Sequence, residues 1–147
     1  MAARAKRIAS ARAREAAAAA ARLLSADPRV VLVYLFGSAV DADQTSVRDV
    51  DLGVLAQPPL DADELLRLRA DVVTAVGLPI DLVSLDRAPI VLAHEVAEHG
   101  RCLFARTPEL ETEFVVRARA RYWDFKPFLE TQWRLAGERL RERQHGA

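Results

Sequence analysis

The sequence holds a single cysteine, Cys102, so no internal disulfide can form and a reducing compartment suits the chain. Long apolar runs are missing as well. The alanine run at 16–21 is too short and too mildly apolar for a membrane span, and no apolar h-region follows the basic N-terminus. A soluble, cytoplasmic protein without a membrane partner is the expectation. Net charge is the third absence, since 21 Lys and Arg balance 21 Asp and Glu. A uniformly basic nucleic-acid binder is thereby excluded, and direct nucleic-acid binding is not expected. Linkers and internal repeats are lacking too, and 147 residues suit one domain spanning 1–147.

The charge that is present is polarised. Residues 1–29 hold seven Lys/Arg against two acids, while residues 41–86 hold ten acids against three arginines. An acidic middle attracts cations. It begins in "FGSAVDADQTSVRDVDLGV", residues 36–54, which places Asp49 and Asp51 where valines should be buried.

The surrounding pattern predicts an α+β fold: a small mixed β-sheet flanked by helices, with the carboxylates on one sheet face. Residues 1–26 are rich in Ala and Arg and predict an N-terminal helix with a solvated arginine face, stopped at Asp27-Pro28. "VVLVYLF" (30–36) is apolar on both faces and predicts a buried central strand. Residues 39–48 read as a polar loop. "DVDLGVLA" (49–56) predicts a second strand closed by Pro58-Pro59. Asp61 and Glu64 form a candidate capping box for a helix to about residue 76, with Gly77 as its C-cap. "IDLVSL" (80–85) predicts a third strand, Asp86 a cap for a helix over 87–99, and "RCLFA" (101–105) a last strand. Thr107-Pro108-Glu109 opens a helical segment over 108–143. Its stripe of Phe114, Ala118, Tyr122, Phe125, Leu129, Trp133, Ala136 and Leu140 is expected to pack on the sheet. Pro127 is expected to kink or break it. Trp123 and Phe128 fall off the stripe, where aromatics suit a partner surface.

Side chains alternate along a strand, so Asp49 and Asp51 share a face with Cα atoms about 6.6 Å apart. Two carboxylates so close disfavour each other's ionisation, and a hard divalent cation relieves that repulsion. Asp81 joins them if the third strand lies beside the second. Solvent-facing aspartates at a turn are the ordinary alternative. Val50, Leu52 and Val54, and the repeat of the anomaly at Asp81, weigh against it. Gly37-Ser38, directly after a strand, offers close backbone approach and a hydroxyl to a phosphate. The zinc signature suggested by "HEVAEH" fails on spacing: His94 and His99 are five apart and diverge by about 140° on a helix.

"GSAVDADQTSVRDVDLGV" resembles the signature of the nucleotidyltransferase superfamily: strand, Gly-Ser, a spacer of about ten residues, Asp-apolar-Asp, then a distal third acid, which Asp81 matches. "LPIDLVSLDRAPIVLAHEVAEHGRCLFAR" and "YWDFKPFLE" resemble the minimal nucleotidyltransferase (MNT) group, over roughly residues 25–135. The resemblance implies transfer of a nucleoside monophosphate from ATP with release of pyrophosphate. Gly37 and Ser38 would hold the triphosphate, and Asp49, Asp51 and Asp81 would be catalytic and ligate Mg2+, with Mn2+ as the alternative. It further implies an antitoxin partnered with a HEPN ribonuclease toxin, on which it adds AMP to a tyrosine. A small-molecule (aminoglycoside-like) nucleotidyltransferase and a binding-only antitoxin are the alternatives. Many relatives carry an arginine after Gly-Ser, where this chain has Ala39, and a serine where it has Arg48. Arg48 is the candidate to supply the missing charge to the nucleotide.

Overall fold

The computed structural model describes residues 6–146. Its centre is a four-stranded mixed sheet of β2 (Val30–Phe36), β4 (Val50–Ala56), β5 (Ile80–Ser84) and β6 (Arg101–Ala105) in the order β5-β4-β2-β6. β2 pairs antiparallel with both β4 and β6, and β4 pairs parallel with β5. β2 is central and covered on both faces, which is why its apolar residues run without alternation.

One face carries Val33, Leu35, Leu52, Val54, Ile80 and Leu82, packed under α1 (Ser10–Ser25) and α2 (Ala62–Val76). α1 approaches through Ala13, Ala16, Ala17, Ala20, Ala21 and Leu24, all buried and spaced by three and four. The opposite face carries Leu32 and Tyr34, packed with Val96 of α3 (Ile90–His99) and Phe114 of α4 (Pro108–His145).

The helix ends follow the expected chemistry at α2. Asp61 accepts from the Glu64 N–H at 2.8 Å, Glu64 accepts from the Asp61 N–H at 3.3 Å, and Gly77 closes the helix at φ 74°. At α3 the expectation of an Asp86 cap is corrected. The Asp86 carboxylate accepts from the Ala56 N–H at 3.0 Å instead, and the helix starts at Ile90 behind Pro89. Thr107 occupies the N-cap of α4, but its hydroxyl makes no capping bond; Pro108 at the first position sets the start.

Two further corrections concern the chain before the site. The helix expected over 1–26 begins only at Ser10, because Ile8–Ala9 forms a short strand, β1. Residues 1–5 of that expectation lie outside the described residues. β1 pairs antiparallel with β3 (Ser46–Val47), inside the segment read as loop. The Arg7 guanidinium donates to the Ser46 hydroxyl at 2.7 Å and carbonyl at 2.6 Å, and the Ser10 hydroxyl donates to the Gln44 carbonyl at 2.7 Å. Those contacts tie the 39–48 segment down at its far end, leaving Gly37–Val40 as a 3-10 turn at its start.

α4 is one continuous helix through Pro127, so the proline does not break it. Its apolar stripe is only partly covered. Phe114 and Ala118 are buried, whereas Trp133 and Leu140 are 59% and 60% exposed. α3, with ten residues, supports only the first half of the longer helix. Among the described residues, no helix is long and apolar enough to cross a membrane.

Replacing Asp61 by alanine removes the capping box without touching the sheet. The expected cost is about 1 kcal/mol, read as a lower midpoint in a thermal melt followed by circular dichroism, with the folded spectrum unchanged.

Candidate active site

The register of the sheet determines which side chains meet. Phe36 of β2 lies opposite Asp51 of β4, and Asp51 lies beside Asp81 of β5. Laterally paired residues share a face. Phe36, Asp51 and Asp81 therefore project from the α3/α4 side, while Val50, Leu52, Ile80 and Leu82 point into the core beneath. Asp49, just before β4, completes the group. One carboxylate oxygen from each of Asp49, Asp51 and Asp81 lies within 4.8 Å of the other two, and all three residues are half-buried.

Burial first, and then the charges of Asp49 and Asp81, push the Asp51 carboxyl up to about 6. A site that holds like charges together in this way suits a cation. Its donors are all hard carboxylate oxygens, which fit Mg2+ or a similar divalent ion better than a soft metal. Among the described residues this is the group of three or more potential ligands. His94 is not part of a metal site: it stacks on Tyr122 of α4, 3.7 Å between ring centroids at 8°.

Gly37 follows β2 at φ 76°, a conformation that disfavours any side chain. A Cβ there would lie 2.5 Å from Asp51 Oδ2. The absence of a side chain thus gives Asp51 its place as well as giving the turn its shape. Ser38 and Arg48 are both exposed on the same connector, and among the described residues neither side chain has a hydrogen-bonding partner. Ala39 is 1% exposed and belongs to the core, so its position in the turn faces inward.

Arg69 of α2 is a site residue the sequence did not reveal. Its guanidinium donates to Asp81 Oδ1 at 3.0 Å and to the Ile80 carbonyl at 3.0 Å. It reaches round the edge strand β5 and fixes one oxygen of Asp81, leaving the other for a ligand. The only sequence signal was its position on a helix preceding the Asp81 strand. Of the spacer acids, Asp43 is exposed, and its N–H is bonded to the Asp41 carboxylate at 2.9 Å.

The raised carboxyl of Asp51 fixes a sign. Its folded-state value of about 6 exceeds the unfolded carboxylate value of about 3.9. The folded state therefore holds the proton more tightly, and this group lowers stability as pH rises between those values. Asp51→Asn should raise the midpoint of the metal-free protein at pH 7 and flatten that part of the pH profile. The same variant should lose the thermal shift that Mg2+ gives the wild type, and in the wild type that shift should shrink below pH 6. Scanning fluorimetry over pH and Mg2+ reads all three. Gly37→Ala is expected to cost about 1 kcal/mol and, by displacing Asp51, to lose the Mg2+ shift while remaining folded.

The chain is similar to proteins of known family. The profile of the polymerase beta nucleotidyltransferase family matches residues 19–109. A protein adenylyltransferase, MntA, of Shewanella oneidensis is 33% identical over 95 residues, which is 65% of this chain and 68% of the relative. In the structure of a tri-AMPylated Shewanella oneidensis HEPN toxin in complex with MNT antitoxin, one chain superposes with a TM-score of 0.71 at 26% identity. The match covers 84% of this chain and 98% of that one. A toxin–antitoxin structure with AMP-PNP gives 0.72 at 28% identity, over 79% and 94% of the two chains. Half of the chain or more matches the family and its aspartates cluster on the sheet, so this protein belongs to the polymerase beta nucleotidyltransferase family.

Proposed function

We propose that this chain is a single-domain, cytoplasmic protein adenylyltransferase, the antitoxin of a HEPN ribonuclease toxin, and that it transfers AMP from ATP to a tyrosine of that toxin. The observation that carries the reading is the convergence of Asp49, Asp51 and Asp81 beside the Gly37 turn. Relatives that match along most of their length are described as an adenylyltransferase and as complexes with an AMPylated toxin or with AMP-PNP.

The reaction forms a bond from the tyrosine oxygen to the α-phosphorus of ATP and breaks the α–β bridge, releasing pyrophosphate. Asp49, Asp51 and Asp81 would hold Mg2+, with Mn2+ as the alternative. When bound, the cation neutralises phosphate charge and stabilises the attacking and leaving oxygens. The chain's own part is largely positioning. Gly37 lets the backbone approach the triphosphate, the Ser38 hydroxyl donates to it, and Arg48 supplies the positive charge that Ala39 does not. Asp81, steadied by Arg69, faces the acceptor and helps activate its hydroxyl.

Trp123 and Phe128, 63% and 53% exposed, give the toxin an aromatic surface on α4. A binding-only antitoxin is the second reading, favoured by the inward-facing Ala39. Intact-mass spectrometry separates the two. Toxin co-expressed with this chain should gain about 329 Da per AMP group with ATP and Mg2+. The Asp49→Asn, Asp51→Asn double variant should give none while remaining folded. Suppression of toxicity without any adduct would leave the binding-only reading standing instead.

A further inference from the structure

At the other end of the sheet from the carboxylates, on the same α3/α4 face, lies a cavity of about 390 Å3. Leu55 and Leu85, at the ends of β4 and β5, form its floor together with Phe114 of α4. Leu55 comes four residues after Asp51, so the cavity begins about 13 Å along the strand from the candidate active site. Its walls are charged. Asp86, which caps no helix, stands on the strand side just after β5. On the helix side α4 presents Arg117 and Arg121, four residues apart and so on one face. Glu113, one turn earlier, lines the same wall. Two acids and two arginines leave the lining with no net charge.

The opposite charges are near each other but not joined. The charge of Arg117 acts to lower the Asp86 carboxyl, yet burial outweighs it and holds that carboxyl above its ordinary value. Among the described residues, neither Arg117 nor Arg121 forms an ion pair. Asp86 Oδ2 accepts from the Ala56 N–H at 3.0 Å, which fixes the carboxylate at the edge of the cavity. A carboxylate accepts several hydrogen bonds, so Asp86 keeps acceptor capacity for a ligand.

We propose that this cavity binds a free α-amino acid with a large apolar side chain. The ligand's carboxylate takes the guanidinium groups of Arg117 and Arg121, its ammonium donates to Asp86, and its side chain lies on Leu55, Leu85 and Phe114. Other classes of small molecule fit less well. A free phosphate would meet Asp86 and Glu113 beside the arginines, and a simple amine would meet the arginines beside Asp86. An uncharged apolar molecule would bury Asp86 further without a partner. A molecule with both charges a few bonds apart and one apolar arm satisfies floor and walls together. The volume lies at the small end of the range for such sites. The proposal stands apart from the adenylyltransferase reading, since none of Asp49, Asp51 and Asp81 lines the cavity.

The test uses the full chain in calorimetry and scanning fluorimetry. The probes are leucine, methionine, phenylalanine and tryptophan. Phenylpropionate, which lacks the ammonium, and phenethylamine, which lacks the carboxylate, are the controls. Binding is expected for at least one of the amino acids, with a raised thermal midpoint because the ligand ties α4 to the strand ends of the folded state. Neither control should bind. The Arg117→Gln, Arg121→Gln double variant, and Asp86→Asn separately, should each weaken that binding by about ten-fold or more while the far-ultraviolet spectrum is kept. The new amide at position 86 still offers an oxygen to the Ala56 N–H, so that variant tests the charge rather than the fold. A Kd weaker than about 10 mM for every amino acid overturns the site. A control that binds as tightly as phenylalanine, or affinity unchanged in both variants, overturns the recognition of paired charges. Displacement of the amino acid by ATP with Mg2+ also overturns the proposal, by making the cavity part of the nucleotide site.

Discussion

Everything at the site depends on one enforced repulsion. The parallel pairing of β4 with β5 sets Asp51 beside Asp81, and the turn into β4 adds Asp49. Burial raises the cost of charging the middle group, which is why Asp51 is the one pushed up to about 6. Such an arrangement lowers the stability of the metal-free fold and persists only because the core beneath over-determines the strands. That core is the other face of the same two strands, where Val50, Leu52, Val54, Ile80 and Leu82 are all buried. The two-residue periodicity of β4 thus serves stability on one side and chemistry on the other.

The helices divide in a related way. α1 and α2 cover most of one face, and α1 does so with alanines that let it lie close to the sheet. α3 and α4 pack the second face around Tyr34, Val96 and Phe114, and leave the ends of β2, β4 and β5 open next to the Gly37 turn. The site is the part of the sheet that the second helical layer leaves half-covered.

What could be read from the sequence was whatever depends on neighbours along the chain. Strand alternation placed Asp49 and Asp51 together, the apolar flanks identified the strands, and Asp61, Glu64 and Gly77 announced the ends of α2. What could not be read depends on contacts across long separations. The β1–β3 pair is two residues long on each side and is held by Arg7 and Ser10, which bond to residues 34 to 39 positions away. Asp86 has the right spacing for a cap, but its carboxylate is taken by the Ala56 N–H thirty residues earlier. Arg69 carries no local mark of its contact with Asp81. The stripe on α4 was visible as a period, yet its coverage was set by the ten-residue length of α3, which a period does not encode.

The contact between Gly37 and Asp51 bears on how such proteins lose activity over evolutionary time. A side chain at position 37 would occupy the space of the Asp51 carboxylate. A descendant could therefore keep all three aspartates and still have a ruined centre. Among related chains, counting acids would misjudge which are still enzymes. The glycine, which offers no functional group at all, is the more discriminating character.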